Sequence, residues 1–588
     1  MPVRSSHLAL VARAAATAVI AAALTTTAPA ATATAGTSGL LDLVCAQQLL
    51  PEPTRLASAL EHGVSALLVR LRNDLTVDEL AHLAADDTTW LDECGSVFVT
   101  DHATPQDQQV TAEALPAESV PSDVFALASR PGSTRTIYLD FDGATYSGTR
   151  WKDGAEIVSP AYSIDADRTT FSATERAQIY LAWRTVAEDY APFDVNVTTQ
   201  RPDPSALSRT ASTDQTYGIP VVVTPTNSVG SGCGCGGISY LGIFGTVNAT
   251  DYQPAWIFTA GSGTGGYDVG QIISHEVGHT FGLSHDGTNQ ASYYAGAKGW
   301  APIMGSSYGK RASHWSSGEY AAANNTEDDT AVIARTAPVL VDDHGNGAVG
   351  ATRLTAGTTA TGTITTRTDA DAFTFSANGR TALSVAGPAG LSNLDVRLTI
   401  LNQVGATVAT IDPTADVADD AAMSATWSVD LPTTAATYVA VVDGTGFGAP
   451  TEAGRYSDYG SLGAYAVTLA TGGSTATPPP FTTPTTTTTT TSTTTTPTHT
   501  TSAPSIAFVT TRLPAARAGS RYRATIRFSG PVSEARVDWR LPRGLRWAVV
   551  GDRVVIRGRV RRSSAGRFAT VLSGDGDSVR RVFRLVVR

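Results

Sequence analysis

Hydrophobic and polar positions alternate with different periods along the chain, and the changes of period divide it. From Thr54 to Leu83 apolar residues recur at helical spacing, inside an acidic stretch running from about Thr34 to Ala128. A period of two opens at Thr136-Ile-Tyr-Leu-Asp-Phe141, with Asp142-Gly143 as its turn, which predicts a strand. Ile179, Leu181, Trp183, Val186 and Tyr190 restore helical spacing over Ala173 to Tyr190. Strand-like runs follow at 194–199, 219–224 and 255–259, then a second helix from Asp268, its expected N-cap, to Gly282. Strands, a long helix, strands and another helix make an α+β (or α/β) unit. From Asp342 to Thr471 short alternating runs such as Phe373/Phe375, Leu383/Val385 and Val396/Leu398/Ile400 are separated by turns rich in Gly and Asp, the pattern of an all-β sandwich. Tyr522, Ala524, Ile526 and Phe528 alternate again in a second β module. Between the two modules, Ser474 to Pro504 is a Thr/Pro tract with almost nothing apolar to bury, so an extended tether is expected there, open to O-glycosylation.

The chain is thus expected to be multidomain: an N-terminal segment over 31–130, an α+β domain over 131–340, a β-sandwich over 341–472, a linker over 473–504 and a β domain over 505–588. Its 588 residues are too many for one core. Charge divides it further. From Ser505 to Arg588 there are 19 Arg, no Lys and 5 acidic residues, a balance of +14 against −11 overall, which leaves −25 for the remainder. The Arg excess suits an anionic wall polymer or another polyanion, and equally a solvated sheet face, since the charges alternate with apolar residues.

The first thirty residues read as an export signal: Arg4 and Arg13, an apolar run from Ala14 to Leu24, and a small-residue cleavage site at Ala28-Pro29-Ala30. Eleven apolar residues cannot span a bilayer, and no later stretch is long enough, so a secreted protein is expected rather than an anchored one. In an oxidising exterior the four cysteines should pair, and the favoured arrangement joins Cys45 to Cys94 and Cys233 to Cys235 across Gly234.

The candidate chemistry is concentrated in residues 275–286, His-Glu-Val-Gly-His-Thr-Phe-Gly-Leu-Ser-His-Asp. His275 and His279 lie four apart on one helix face and can present nitrogens to one ion. Glu276, about 100° around the helix, need not be a ligand yet can reach a water on the same metal. Gly282 ends the helix in a left-handed conformation, and the returning chain brings His285 as third ligand. Three neutral imidazoles leave Zn2+ a fourth position for water, the arrangement of a catalytic centre. Zinc lowers the pKa of that water, and Glu276 would take its proton and hand it to the leaving amine. By chance, the five-residue part should arise about once in a hundred such chains, and with Gly282 and His285 added roughly once in a hundred thousand. A thiolate of Cys45 or Cys94 blocking the zinc is the alternative to their disulfide.

These residues resemble the metzincin metallopeptidases, the likeness spanning about Arg135 to Ala337. Ala301-Pro-Ile-Met-Gly305 is similar to the turn that carries those enzymes' methionine, with Met304 in that place. The resemblance implies an oxyanion-stabilising tyrosine two residues after this Met, but Ser306 stands there and the nearest tyrosine is Tyr308, which leaves catalysis and packing both open. Asp286 follows the third ligand as in the reprolysin-like branch, which implies support of the site from behind the ligands. Tyr293-Tyr294, Gly299-Trp300, Trp315 to Tyr320 and Asn324 to Asp329 are similar to a bacterial subgroup of secreted zinc proteases. Glu327-Asp328-Asp329 has two readings, a Ca2+ site and a solvated helix cap. Cys233-Gly-Cys-Gly-Gly237 leads into Ile238 to Gly242, expected as the edge strand that aligns a peptide.

Asp369 to Ala377, Leu394 to Leu398, Val442-Asp-Gly444 and Tyr456 to Leu469 resemble the bacterial pre-peptidase C-terminal domain. Leu513-Pro514, Ala518 to Tyr522, Trp539 to Leu545 and Ile556-Arg-Gly558 resemble immunoglobulin-like modules. The expected activity is that of a zinc metalloendopeptidase acting on protein or peptide substrates, made as a zymogen with residues 31–130 as pro-segment. A non-peptide amide would use the same site, and the rival from another class is an inactive metzincin scaffold serving in adhesion.

Overall fold

The computed structural model describes residues 48–103, 120–165, 167–229, 233–297, 299–413 and 422–471, and from 507 to 585 chiefly the strands named below. The expected export signal, Cys45 and the Thr/Pro linker lie outside the described residues. The chain divides into two compact units, residues 1–486 and 487–588.

The helical spacing near the N-terminus resolves into three short helices, α1 (Leu56–Glu61), α2 (Ala66–Asn73) and α3 (Val77–Ala85), rather than one long one. Gly63 and Asp74, both at positive φ, break the run, and Thr76 with Glu79 forms a capping box that restarts it. Leu56, Ala59, Val69, Leu80, Leu83, Leu91 and Val97 close a small core with Leu241.

One eight-stranded sheet carries the rest of the first half. Its strands are β1 (Thr54–Arg55), β2 (Thr89–Leu91), β3 (Val97–His102), β4 (Arg135–Asp140), β5 (Asn196–Thr198), β6 (Tyr217–Thr224), β7 (Cys235–Tyr240) and β8 (Ala255–Phe258), in the order β1-β2-β3-β7-β8-β6-β4-β5. The strands from β8 to β5 run parallel, and β7 is antiparallel to both β8 and β3. Two helices pack on it. The longer, α4 (Ala173–Asp189), starts at a capping box in which Ser172 Oγ accepts from Glu175 N and Glu175 accepts from Ser172 N. Its inward residues Ile179, Trp183 and Val186 are fully buried, worth about 1.5–3 kcal/mol for each aliphatic side chain. The other, α5 (Gly266–Phe281), begins two residues before the expected start. Its N-cap is Gly265, and Asp268 instead accepts from Gly309 N at 3.0 Å within the first turn. Gly270 lets α4 and α5 touch, since a Cβ there would lie 2.5 Å from Thr185 Cβ.

Val124 and Leu127, which the sequence places in the N-terminal segment, are fully buried in this larger core, and Leu127 and Ser129 hydrogen-bond the main chain of β5 and Thr199. The segment's separate core therefore ends before Val120.

Residues 352–471 form the expected sandwich of a five-stranded and a four-stranded sheet. It shares apolar contact with the preceding domain, where Trp300 stacks on Tyr456 at 5.1 Å. The unit from 487 holds a four-stranded and a three-stranded antiparallel sheet. The architecture is multidomain and rich in sheet. No helix among the described residues is long and apolar enough to cross a membrane.

Candidate metal centre

Glycine decides how α5 delivers its side chains. Gly282 closes the helix at φ +109°, and the chain turns back so that His285 meets the two histidines of the helix. His279 Nε2 lies 3.0 Å from His285 Nε2. His275 Nδ1 donates to Ile303 O at 2.8 Å and His279 Nδ1 to Leu283 O at 2.7 Å, which leaves both Nε2 atoms as lone-pair donors facing inward. All three rings are buried.

A carboxylate completes the group. Asp101, on β3, places Oδ2 3.4 Å from His275 Nε2 and 3.5 Å from His279 Nε2, and Oδ1 2.8 Å from His285 Nε2. These four side chains form one cluster of potential metal ligands. His275 Nε2 and Asp101 Oδ2 are buried without a hydrogen-bond partner. Zinc bonds of about 2.0–2.1 Å in a tetrahedron would space nitrogen ligands by about 3.3 Å, close to the distances found. The residues therefore fit zinc. Burial alone would raise the Asp101 carboxyl, but the charges of His275 and His285 outweigh it and hold it well below the ordinary range. Burial lowers His285, yet Asp101 and Asp86 carry it up to about 10. His279 goes the other way, burial pulling it down to about 4, so it is the neutral imidazole of the group.

The fourth position, expected for water, is thus faced by a protein carboxylate. Among the described residues the group there is a carboxylate and not a thiolate; Cys94 is disulfide-bonded, and Cys45 lies outside the described residues. Cys233 and Cys235 are in disulfide contact, with Cα atoms 5.0 Å apart.

Glu276 is fully buried beside this group. Its Oε2 accepts from Ser239 Oγ at 2.5 Å, while Oε1 has no partner. Burial, then the Asp101 charge, push its carboxyl well above the ordinary range. Gly237 on β7 makes room for it: a Cβ there would lie 1.9 Å from Glu276 Oε1.

Met304 is fully buried under α5, its Sδ 2.5 Å from where a Cβ on Gly278 would be, and its carbonyl accepts from Asp286 N at 2.8 Å. The Asp286 carboxylate has a different place from the one expected. Its nearest donor is Tyr320 Oη at 3.5 Å, and burial followed by Glu327 raises it to about 8. The carboxylate that holds His285 Nδ1 is Asp86, at 2.5 Å. Tyr308 is half-buried against the domain core, and the tyrosine at the centre is Tyr293, whose ring is 4.2 Å from that of His285 and whose hydroxyl donates to Asp101 Oδ1 at 2.6 Å. Glu327, Asp328 and Asp329 accept from the main-chain amides of Ser284, Ala331 and Ser316, and Asp328 caps the short helix Asp329–Ile333.

Asp101 and Asp86 carry no local motif, and Tyr293 and Ser239 lie in stretches that the sequence marks for other reasons, without a role in the chemistry. Asp101 and Asp86 reach His285 across 184 and 199 residues, so only the pairing of β3 with β7 reveals them.

A parallel-dominated sheet, a histidine-bearing helix beneath its antiparallel strand β7 and a buried methionine frame this cluster of potential metal ligands. Residues 174–316 match the family model Reprolysin_5, Metallo-peptidase family M12, which suggests a zinc peptidase. No curated protein matches the chain. Among solved structures, the pre-peptidase C-terminal domain of a collagenase from Bacillus anthracis is similar at 13% identity, covering 20% of this chain and 93% of that one, with a TM-score of 0.14. A chimeric titin Z1Z2 is similar at 20% identity, covering 15% and 98%, with a TM-score of 0.13. Likenesses this small carry no argument.

Proposed function

We propose that this chain is a secreted zinc-dependent endopeptidase in which His275, His279 and His285 hold the metal and Glu276 is the general base. The observation that carries this reading is the convergence of three imidazoles beside a buried carboxylate whose Oε1 has no other partner. Bound zinc would polarise the scissile carbonyl and acidify a water. Glu276, its Oε2 fixed by Ser239, would hold a water's proton on Oε1 and return it to the leaving amine. Tyr293 Oη, which donates to Asp101 Oδ1 in the structure and whose ring lies beside His285, would be the O–H donor for a developing oxyanion. The strand expected as an edge, β7, is paired on both sides, by β3 and β8, so a substrate would pair its main chain there only with the β3 side vacated.

In the C-terminal unit, Arg521, Arg523 and Arg527 pair across strands with Arg559, Arg557 and Arg553. Like charges directly opposite disfavour a sheet on their own. We therefore extend the proposal to contact with an anionic polymer there.

Casein hydrolysis by the purified mature chain and its Glu276→Gln variant tests the mechanism. The variant should retain zinc and lose activity by at least about a hundredfold, and a chelator should silence the parent. Equal rates in the two proteins would remove Glu276 from the reaction.

A further inference from the structure

One residue of the sandwich turns its main-chain and side-chain polar groups toward the domain that carries the histidines. Asn393 lies in the loop between the strands Arg380–Ala386 and Val396–Asn402 and is buried. Its Nδ2 donates to Asp189 Oδ1 at 2.7 Å, and its Oδ1 accepts from Ser313 N at 3.3 Å. Its carbonyl accepts from His314 Nε2 at 2.7 Å, and its amide donates to Glu188 Oε1 at 3.4 Å. We propose that the sandwich completes the metal centre through this loop, with Asn393 as a positioning residue for His275. The inference rests on the zinc-peptidase reading above.

Two routes of hydrogen bonds lead from Asn393 to His275. The first runs through the helices. Asp189, at the end of α4, takes Asn393 Nδ2 on Oδ1 and Ser274 Oγ, at 2.6 Å, on Oδ2. Ser274 precedes His275 on α5, and its carbonyl accepts from Tyr190 Oη at 3.0 Å. The rotation of α5 about its own axis is thus tied to that carboxylate beside the first ligand. The second route runs through the turn that holds Met304. His314 is fixed by Asn393 O at Nε2 and by Trp300 Nε1, 3.0 Å away, at Nδ1. The His314 carbonyl accepts from Ile303 N at 2.8 Å, and Ile303 O accepts from His275 Nδ1 at 2.8 Å. Asp189, Ser274, Ser313 and His314 are buried like Asn393, so a lost partner there is not replaced by bulk water.

His275 differs in this from the other two imidazoles. His279 Nδ1 takes Leu283 O, from the turn after its own helix, and His285 Nδ1 takes Asp86. Neither contact involves the sandwich. An amide is the side chain that the junction requires, since its donor faces a carboxylate and its acceptor a main-chain N–H. Aspartate at this position would set two carboxylates against each other. Alanine would remove the shorter bond to Asp189 Oδ1 and leave that from Ser313 Oγ at 3.5 Å.

The test measures Zn2+ affinity of the full-length chain against a chromophoric chelator, and the visible spectrum of its Co2+ form, which reports ligand geometry. Asn393→Ala should bind Zn2+ about tenfold more weakly than the parent and shift the Co2+ bands, as loss of an outer partner of a ligand does. Should the alanine variant fold poorly, Asn393→Ser, too short to reach Asp189, carries the same expectation. Ser274→Ala cuts the same route, so the double variant should lose little more than either single one. His314→Ala cuts the other route, and His314→Gln, whose amide can donate to Asn393 O, should recover part of its loss. Arg367→Ala removes a bond of the same junction to Glu319, and both readouts should stay at the parent values. Parent affinity and spectrum in Asn393→Ala overturn the proposal. An equal loss in Arg367→Ala also overturns it, because docking in general would then be the cause. Additive losses from Asn393→Ala and Ser274→Ala overturn the route through the helices. A parent chain that binds no Zn2+ would instead sink the zinc-peptidase reading, and this inference with it.

Discussion

At the scale of single residues, the proposed chemistry depends on how one carboxylate is held. Glu276 has two oxygens with different surroundings: Oε2 is tied to Ser239, and Oε1 is buried without a hydrogen-bond partner. The Ser239 hydroxyl lies 2.5 Å from Oε2 and 3.1 Å from the main-chain carbonyl of Glu276, so it sets the rotation of the carboxyl group. A hydrogen bond to a charged group is worth about 1.5–3 kcal/mol, or roughly ten- to a hundredfold in rate where it orients a base. Ser239→Ala should therefore lower kcat by about tenfold or more and leave KM and zinc content near those of the parent. A change in KM alone would show that Ser239 serves binding rather than the base. The spacing of the histidines, Glu276 and Gly282 was legible because one helix end and the turn after it place them all, and that spacing is local. Asp101 and Asp86 were not legible, because nothing within their own strand or turn distinguishes them from other surface acids. Adjacency along the chain does not aim a side chain either: Asp286 follows His285 directly, yet the carboxylate on His285 Nδ1 is Asp86, from another core.

At the scale of elements, the centre depends on where α5 stops. The last turn donates Gly282 N–H to the carbonyls of Gly278 and His279, and the positive φ of Gly282 redirects the chain so that Leu283 O can accept from His279 Nδ1. A Cβ at Gly282 would meet nothing closer than 3.8 Å, so space is not the constraint. The constraint is backbone conformation, which costs an L-residue about 1–2 kcal/mol in the left-handed region. Gly282→Ala should lower stability by about that amount in thermal or denaturant unfolding and weaken zinc binding in parallel, because the same turn carries the third imidazole. Zinc affinity unchanged in a destabilised Gly282→Ala chain would separate the cap from the metal site. Elements with strong periodicity were legible to within a few residues: α4 runs from Ala173 to Asp189 and β6 from Tyr217 to Thr224. The start of α5 was not, since Asp268 is a good cap residue by type and only the packing of Gly266 against Gln178 O begins the helix earlier.

At the scale of the whole first unit, the sandwich is locked onto the preceding α+β domain by polar groups that cannot all be charged. Asn393 of the sandwich donates to Asp189 Oδ1 at 2.7 Å, accepts from His314 Nε2 at 2.7 Å, and gives its own amide to Glu188 Oε1 at 3.4 Å. His314 accepts from Trp300 Nε1 at its other nitrogen, so it is the neutral Nε2–H form, in keeping with a pKa that burial pulls down to about 4. Burial raises Glu188 to about 8 and Asp189 to about 7, and their mutual repulsion adds to the shift of Glu188. A carboxyl group with a folded-state pKa above its unfolded value binds more protons when folded, so its contribution to stability is complete below pH ~4 and is lost as the pH rises through the folded value. Melting temperature should accordingly fall between pH ~5 and ~8 as Glu188 becomes obliged to ionise inside the junction. Glu188→Gln keeps the acceptor for Asn393 and removes the ionisation. Its melting curve should coincide with that of the parent near pH ~5 and lie above it at pH ~8. A constant offset between the two proteins across that range would mean that Glu188 is already ionised in the folded junction, and that the lock between the α+β domain and the sandwich tolerates a buried charge that its geometry argues against.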